Sequence, residues 1–119
     1  MLKDKKMGQN GQGTDYPYLR FIPCQVEPGL FRGEYLVHVE AVDQSTDNGI
    51  IRVQLFVDED EVKNLKGVPE HRKPVPGWLR VALASADEGL ACVVLPQPAL
   101  PVGESMFVRV DDLIKENVP

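Results

Sequence analysis

Residues 35–57 read Tyr-Leu-Val-His-Val-Glu-Ala-Val, then Asp-Gln-Ser-Thr-Asp-Asn-Gly, then Ile-Ile-Arg-Val-Gln-Leu-Phe-Val. In the first stretch Tyr35, Val37, Val39 and Ala41 alternate with Leu36, His38, Glu40 and Val42. Over residues 51–58 the set Ile51, Val53, Leu55 and Val57 alternates with Arg52, Gln54, Phe56 and Asp58. Successive strand side chains point to opposite faces, so each stretch has one apolar face and one mixed face. A helix would scatter these residues around its circumference, and the many β-branched side chains also favour strand. Residues 43–49 hold no large apolar side chain and end in Asn48-Gly49, which tolerate the positive φ of tight connections. The stretch is therefore a β-hairpin with one side on a core, as antiparallel sheets arrange themselves.

Upstream, residues 19–22 form a short strand candidate that ends at Pro23, and Glu27-Pro28-Gly29 marks a turn. Gly33 suits a bulge or a close approach at the start of the hairpin. Downstream, residues 58–67 predict a short helix. Asp58 is placed as N-cap, Glu61 three residues on as in a capping box, Lys63 and Lys66 near the C-terminal end, and Gly67 as the stop. Val62 and Leu65 would anchor it to the sheet. Residues 68–76 carry three prolines and predict an irregular connection. Residues 78–84 predict a strand with Leu79, Val81 and Leu83 on one face. After a turn at 85–89, residues 90–95 are apolar on both faces, which predicts a central strand covered on both sides. Residues 96–103 predict an extended crossing, 105–110 a last strand, and 111–116 a short terminal helix.

These elements make the chain all-β, or mainly β with one or two short helices: a small five- to six-stranded antiparallel barrel, SH3-like or OB-like. The helix between the third and fourth strands favours OB-like. The Pro-rich crossing favours SH3-like. Residues 1–15, with Gly8, Gly11 and Gly13 among polar side chains, predict a disordered tail, and residues 16–119 a single domain. Met7 is an alternative start.

At 119 residues, with 43% apolar and 26% charged side chains, a core needs no disulfide or metal. No apolar run reaches the 18 residues of a membrane span, and no apolar stretch follows the charged start. No membrane association or signal peptide is expected, and a cytoplasmic location is. Cys24 and Cys92 lie far apart without metal-ligand spacing, and are expected to be separate reduced core residues. Residues 1–20 sum to +2 and residues 21–119 to −7. So acidic a body disfavours a nucleic-acid backbone as partner.

No GxSxG, GxGxxG, P-loop or HExxH sequence occurs, and the two His have no metal-ligand companions. A Cys92–His38–Asp43 nucleophile set can be drawn, but the pattern buries Cys92. The expectation is a non-enzyme with no cofactor and no metal. Three features suit binding. His71, Arg72 and Lys73 form a basic knot in a Pro-rich loop that leads to Trp78, the only Trp, and Arg80. Residues 95–101 carry a PxxP spacing. Tyr16, Tyr18, Phe21, Phe31 and Tyr35 offer aromatic surface. The leading expectation is a non-catalytic protein-interaction or accessory module whose partner is another protein or itself. The first alternative is an OB-like single-strand nucleic-acid binder using Arg52, Arg72, Lys73, Trp78 and Arg80. The second is a small enzyme using surface carboxylates.

Overall fold

The computed structural model describes residues 19–47 and 49–114. The expected tail, Tyr16, Tyr18 and the end of the expected terminal helix lie outside the described residues. The strands are β1 (Leu19–Pro28), β2 (Glu34–Asp43), β3 (Gly49–Asp58), β4 (Val62–Lys63), β5 (Val75–Asp87), β6 (Leu90–Ala99) and β7 (Gly103–Arg109). They form one curled antiparallel sheet in the order β3-β2-β1-β5-β6-β7, with β4 added to β5. The architecture is a half-barrel: two three-stranded meanders joined where β1 pairs with β5.

The central hairpin forms as its alternation dictates, with Glu34 opposite Asp58 and Asp43 opposite Gly49. Val37, Val39, Ala41, Val53, Leu55 and Val57 are buried, and Tyr35 and Ile51 pack against them. At the hairpin turn the Asp43 carboxylate accepts the Ser45 N–H at 2.9 Å and its hydroxyl at 2.6 Å. From β1, Ile22, Cys24 and Val26 complete this wall, and Leu79, Val81, Ala91, Val93, Leu95, Met106 and Val108 form the opposite one. Gly77 lets β5 approach closely: a Cβ there would lie 3.1 Å from Leu65 and 3.3 Å from both Val26 and Val62.

Several elements differ from expectation. β1 does not stop at Pro23 but runs to Pro28. The Phe21 N–H and C=O pair with Ile114, at 3.0 and 2.7 Å, on the side of β1 away from β5. By alternation Pro23 faces that same side, and β2 pairing begins only at Gln25, so no ladder needs its missing N–H. Likewise β5 begins at Val75, before the expected Trp78. Pro76 is accommodated because only its carbonyl is used, accepting the Lys66 N–H at 3.0 Å.

The helix expected over 58–67 is a single 3-10 turn, Glu59–Glu61, with no side-chain cap from Asp58. Two turns of helix are too few to outweigh sheet pairing. Val62 instead joins β4 opposite Leu79. Both anchors hold even so, for Val62 is buried and Leu65 packs on the core. The terminal helix is likewise a 3-10 turn, Val110–Asp112, after which Ile114 bridges to Phe21.

The Pro-rich crossing is the bent end of β6. Its register breaks between Val94 and Ala99. Leu100 then exchanges two backbone hydrogen bonds with Gln54 of β3, at 3.0 and 3.1 Å. This bridge turns the corner and ties the two outer parts of the sheet together. Pro96, Gln97 and Pro98 are thus strand residues, not a free polyproline segment. Neither feature that would separate an OB-like from an SH3-like barrel takes its expected form.

β6 lies inside the sheet as expected, but among the described residues one of its faces is only partly covered. Cys92 is half-buried and Val94 is exposed. Cys24 is the buried thiol, and both cysteines are free.

Leu79, fully buried at the β4–β5–β1 junction, tests this core. Leu79→Ala is expected to lower the unfolding free energy by about 2–5 kcal/mol. Phe56→Ala, on the outer face of β3, is expected to cost far less. Urea unfolding of the two variants measures the contrast.

Candidate functional site

The outer face of β1 carries Phe21, Pro23, Gln25 and Glu27. In register they oppose Arg80, Trp78 and Pro76 of β5 on one side, and His38 and Leu36 of β2 on the other. Beyond Gln25, toward Pro23, β1 and β2 diverge. An open cleft of about 700 Å³ occupies this region. Its apolar lining includes Trp78 with the exposed Pro23, Pro74 and Pro76, together with the buried Cys24 and Val39. Polar groups stand along its sides: Gln25, Glu27, His38, Glu40 and Arg52 from the first meander, Asn64 and Lys66 from the segment after β4, and Asp112.

Most of these wall residues are exposed, while Trp78 is half-buried. The Trp78 ring is braced by Phe21, with centroids 6.0 Å apart at 43°. Phe21, only 3% exposed, in turn lies under the Lys63 ammonium, which is 5.6 Å from its ring centroid. Phe21 is thus a buried support for Trp78, and the aromatic packing holds the indole in place. Asn64, with φ 58, turns the chain left-handed after β4, a conformation asparagine tolerates. Its side-chain carbonyl accepts Lys66 Nζ at 3.3 Å, fixing one rim of the cleft.

The other rim is held by Glu27. One carboxylate oxygen pairs with His38 Nε2 at 2.7 Å, and the other accepts the Arg72 backbone N–H at 3.0 Å. Glu27 and His38 are two places apart on the same face of the β1–β2 ladder, a diagonal pair. The Arg72 N–H bond, with help from His38, holds the Glu27 carboxyl below the usual glutamate range. Glu27 therefore clasps the 70–73 turn to β1. That turn is closed by Lys73 N–H donating to the Glu70 carbonyl at 2.9 Å, with Arg72 left-handed at φ 64.

Of the residues picked from sequence, Trp78 and Arg52 line the cleft. His71, Arg72 and Lys73 are exposed on the clasped turn, and Arg80 lies one row beyond Trp78 on β5. Sequence reading missed Pro23, Glu27, His38 and Lys66 as partners of Trp78. The aromatic group does not assemble either: Phe31 is 73% exposed at the β1–β2 turn, while Tyr35 packs on the core.

The Cys92–His38–Asp43 set does not assemble. β1 and β5 stand between β2 and β6, about 14 Å of sheet at the usual strand spacing. The other thiol, Cys24, is pushed up to about 12 by burial. Among the described residues no three His, Cys, Asp or Glu side chains gather as a metal-ligand set, and no helix is long and apolar enough to cross a membrane. No family model, curated protein or solved structure matches this chain.

A carboxyl depressed by folding stabilises the fold above its unfolded value, and that stabilisation is lost as pH falls through its folded value. Wild type is therefore expected to melt above Glu27→Gln at neutral pH. The difference should close as pH falls below the ordinary glutamate range, about 4.3. Paired thermal melts between neutral and acid pH check this.

Proposed function

We infer that the protein is a non-catalytic interaction module that binds an extended segment of another protein in the Trp78 cleft. The supporting observation is the cleft's make-up: one braced indole, three prolines and a polar rim on an otherwise regular sheet. Trp offers a large apolar surface with one N–H donor, the combination enriched at binding hot spots. Prolines make a rigid lining with little entropy left to lose, which lowers the cost of binding. An open trough suits a strand-like or polyproline segment better than a small molecule, which is usually mostly enclosed. Glu27, the carboxylate nearest the imidazole, has both oxygens engaged in holding the fold, which weighs against carboxylate catalysis. The rim mixes Glu27, Glu40 and Asp112 with Arg52 and Lys66, which weighs against a nucleic-acid backbone.

Trp78 is the only Trp, so its emission reports directly on the cleft. Titration of the full chain with a library of extended peptides is expected to shift that emission for a defined subset. Trp78→Ala, followed by calorimetry, should weaken those peptides about tenfold or more. A shift with short single-stranded oligonucleotides at low salt but with no peptide would overturn the reading, as would turnover of a small substrate.

A further inference from the structure

One wall of the Trp78 cleft is a strand edge. β2 pairs with β3 from Glu34 with Asp58 to Asp43 with Gly49, but with β1 only from Tyr35 to His38. Beyond His38 it has a strand neighbour on the β3 side alone, among the described residues. Alternation fixes where its backbone groups point. Gln54 directs both its N–H and its C=O to Leu100, away from β2. Val53 and Ile51 therefore bond toward β2, to Val39 and Ala41, and Glu40 between them turns its N–H and C=O toward β1. Carried past His38, the β1–β2 register sets Glu40 opposite Pro23. Pro23 has no N–H, and its carbonyl points toward β2 as that of Phe21 does. Among the described residues no main-chain hydrogen bond joins Glu40 or Pro23 across this gap. Both residues line the cleft.

The same gap takes an extended main chain at its other end. Phe21 exchanges two backbone hydrogen bonds with Ile114 on the side of β1 that faces β2. Ile114 thus stands where a strand inserted between β1 and β2 would run. The chain reaches that line only after the Val110–Asp112 turn, and Asp112 lies on the cleft wall. Opposite Pro23 and Glu40, no described residue continues it.

We propose that the segment bound in the cleft is a β-strand of the partner protein, which pairs through its main chain with Glu40 and prolongs the line begun by Ile114. The proposal rests on the cleft being a peptide site and narrows its ligand. The ligand is a strand that donates N–H groups, not a polyproline helix, whose prolines have none. Its side-chain chemistry follows from the pairing. The partner residue opposite Glu40 points outward with Glu40 and Arg52, on the face that carries Trp78. Its two neighbours point inward, toward Ile22, Cys24, Val39 and Val108, all buried and apolar. The partner sequence is therefore apolar on either side of one outward residue. From rise, strand spacing and sheet spacing, a strand residue takes roughly 160 Å³, so a cleft of about 700 Å³ holds on the order of four. So few backbone bonds set register and direction, while Trp78 and the apolar lining supply the remaining contact.

Amide hydrogen exchange of the full chain, read by NMR, gives the first test. The Glu40 amide of the free chain should exchange much faster than those of Val39 and Ala41, which bond to β3. A Glu40 amide as slow as its neighbours means that the chain's own main chain pairs there, and overturns the proposal. The second test splits the peptide library into sequences with Val at alternate positions and sequences rich in proline. The alternating set should contain the tightest binders by Trp78 emission, and these should slow exchange at Glu40. In the best of them, N-methylation of the one residue that faces Glu40 should weaken binding about tenfold, while N-methylation at the peptide ends should not. A tightest binder from the proline set, or an N-methyl scan with no sensitive position, overturns the strand proposal and leaves the cleft a peptide site. No emission change with any peptide removes both.

Discussion

The antiparallel pairing of β1 with β5 holds the molecule together. Eight consecutive residue pairs, from Leu19 with Ala82 to Val26 with Val75, form this seam. Either meander alone would be a three-stranded sheet with an apolar face open to water. Joined, the two curl so that Val37, Val53 and Leu55 on one side meet Val93, Met106 and Val108 on the other. The seam brings together residues 49 to 63 positions apart, a costly loop closure. Contacts so far apart in sequence cost more chain entropy to form than the local hairpins do.

Closing the sheet also manages its edge. β3 would otherwise present a long edge ladder flanked by Ile50 and Phe56, both exposed. The double hydrogen bond between Gln54 and Leu100 occupies the middle of that edge. What remains on either side is too short to template pairing with another chain. The bend that delivers Leu100 to β3 lies at Pro96–Pro98, after pairing with β5 has ended at Val94 and within the break in the β7 register between Val94 and Ala99. The prolines thus sit where the chain leaves one partner for another.

Period-two alternation made the fold class legible. Tyr35–Val57 read directly as a hairpin because burial on one face and solvent on the other leave no other register. The same rule placed Leu79, Val81 and Leu83 on the inner face. It failed where local and tertiary preferences disagree. Asp58–Gly67 has the cap, charges and stop of a helix, yet Val62 gains more from pairing beside Leu79 than two turns of helix can supply. Proline was read too strictly. Pro23 and Pro76 break a ladder only if a partner needs their N–H, and sequence alone does not tell which side of a strand lacks a partner. Trp78 was recognisable as an unusual outward-facing aromatic. Its companions were not, because they come from β1, the 70–73 turn and the segment after β4, which meet only through the seam.

This explains why the cleft lies where it does. A regular ladder satisfies its own backbone and leaves no recess. Between Ile114 and Gln25 the outward side of β1 loses its partner, and Pro23 makes that loss free of a stranded donor. Across the seam, Pro76 faces away from β1, with only a carbonyl for Lys66 to hold. Two prolines on paired strands thus open the outer surface at the one place where Trp78 stands between them, braced by Phe21. Glu27 uses both oxygens there, one on His38 and one on the Arg72 N–H of the neighbouring turn. The recess is an outcome of where hydrogen bonding is omitted.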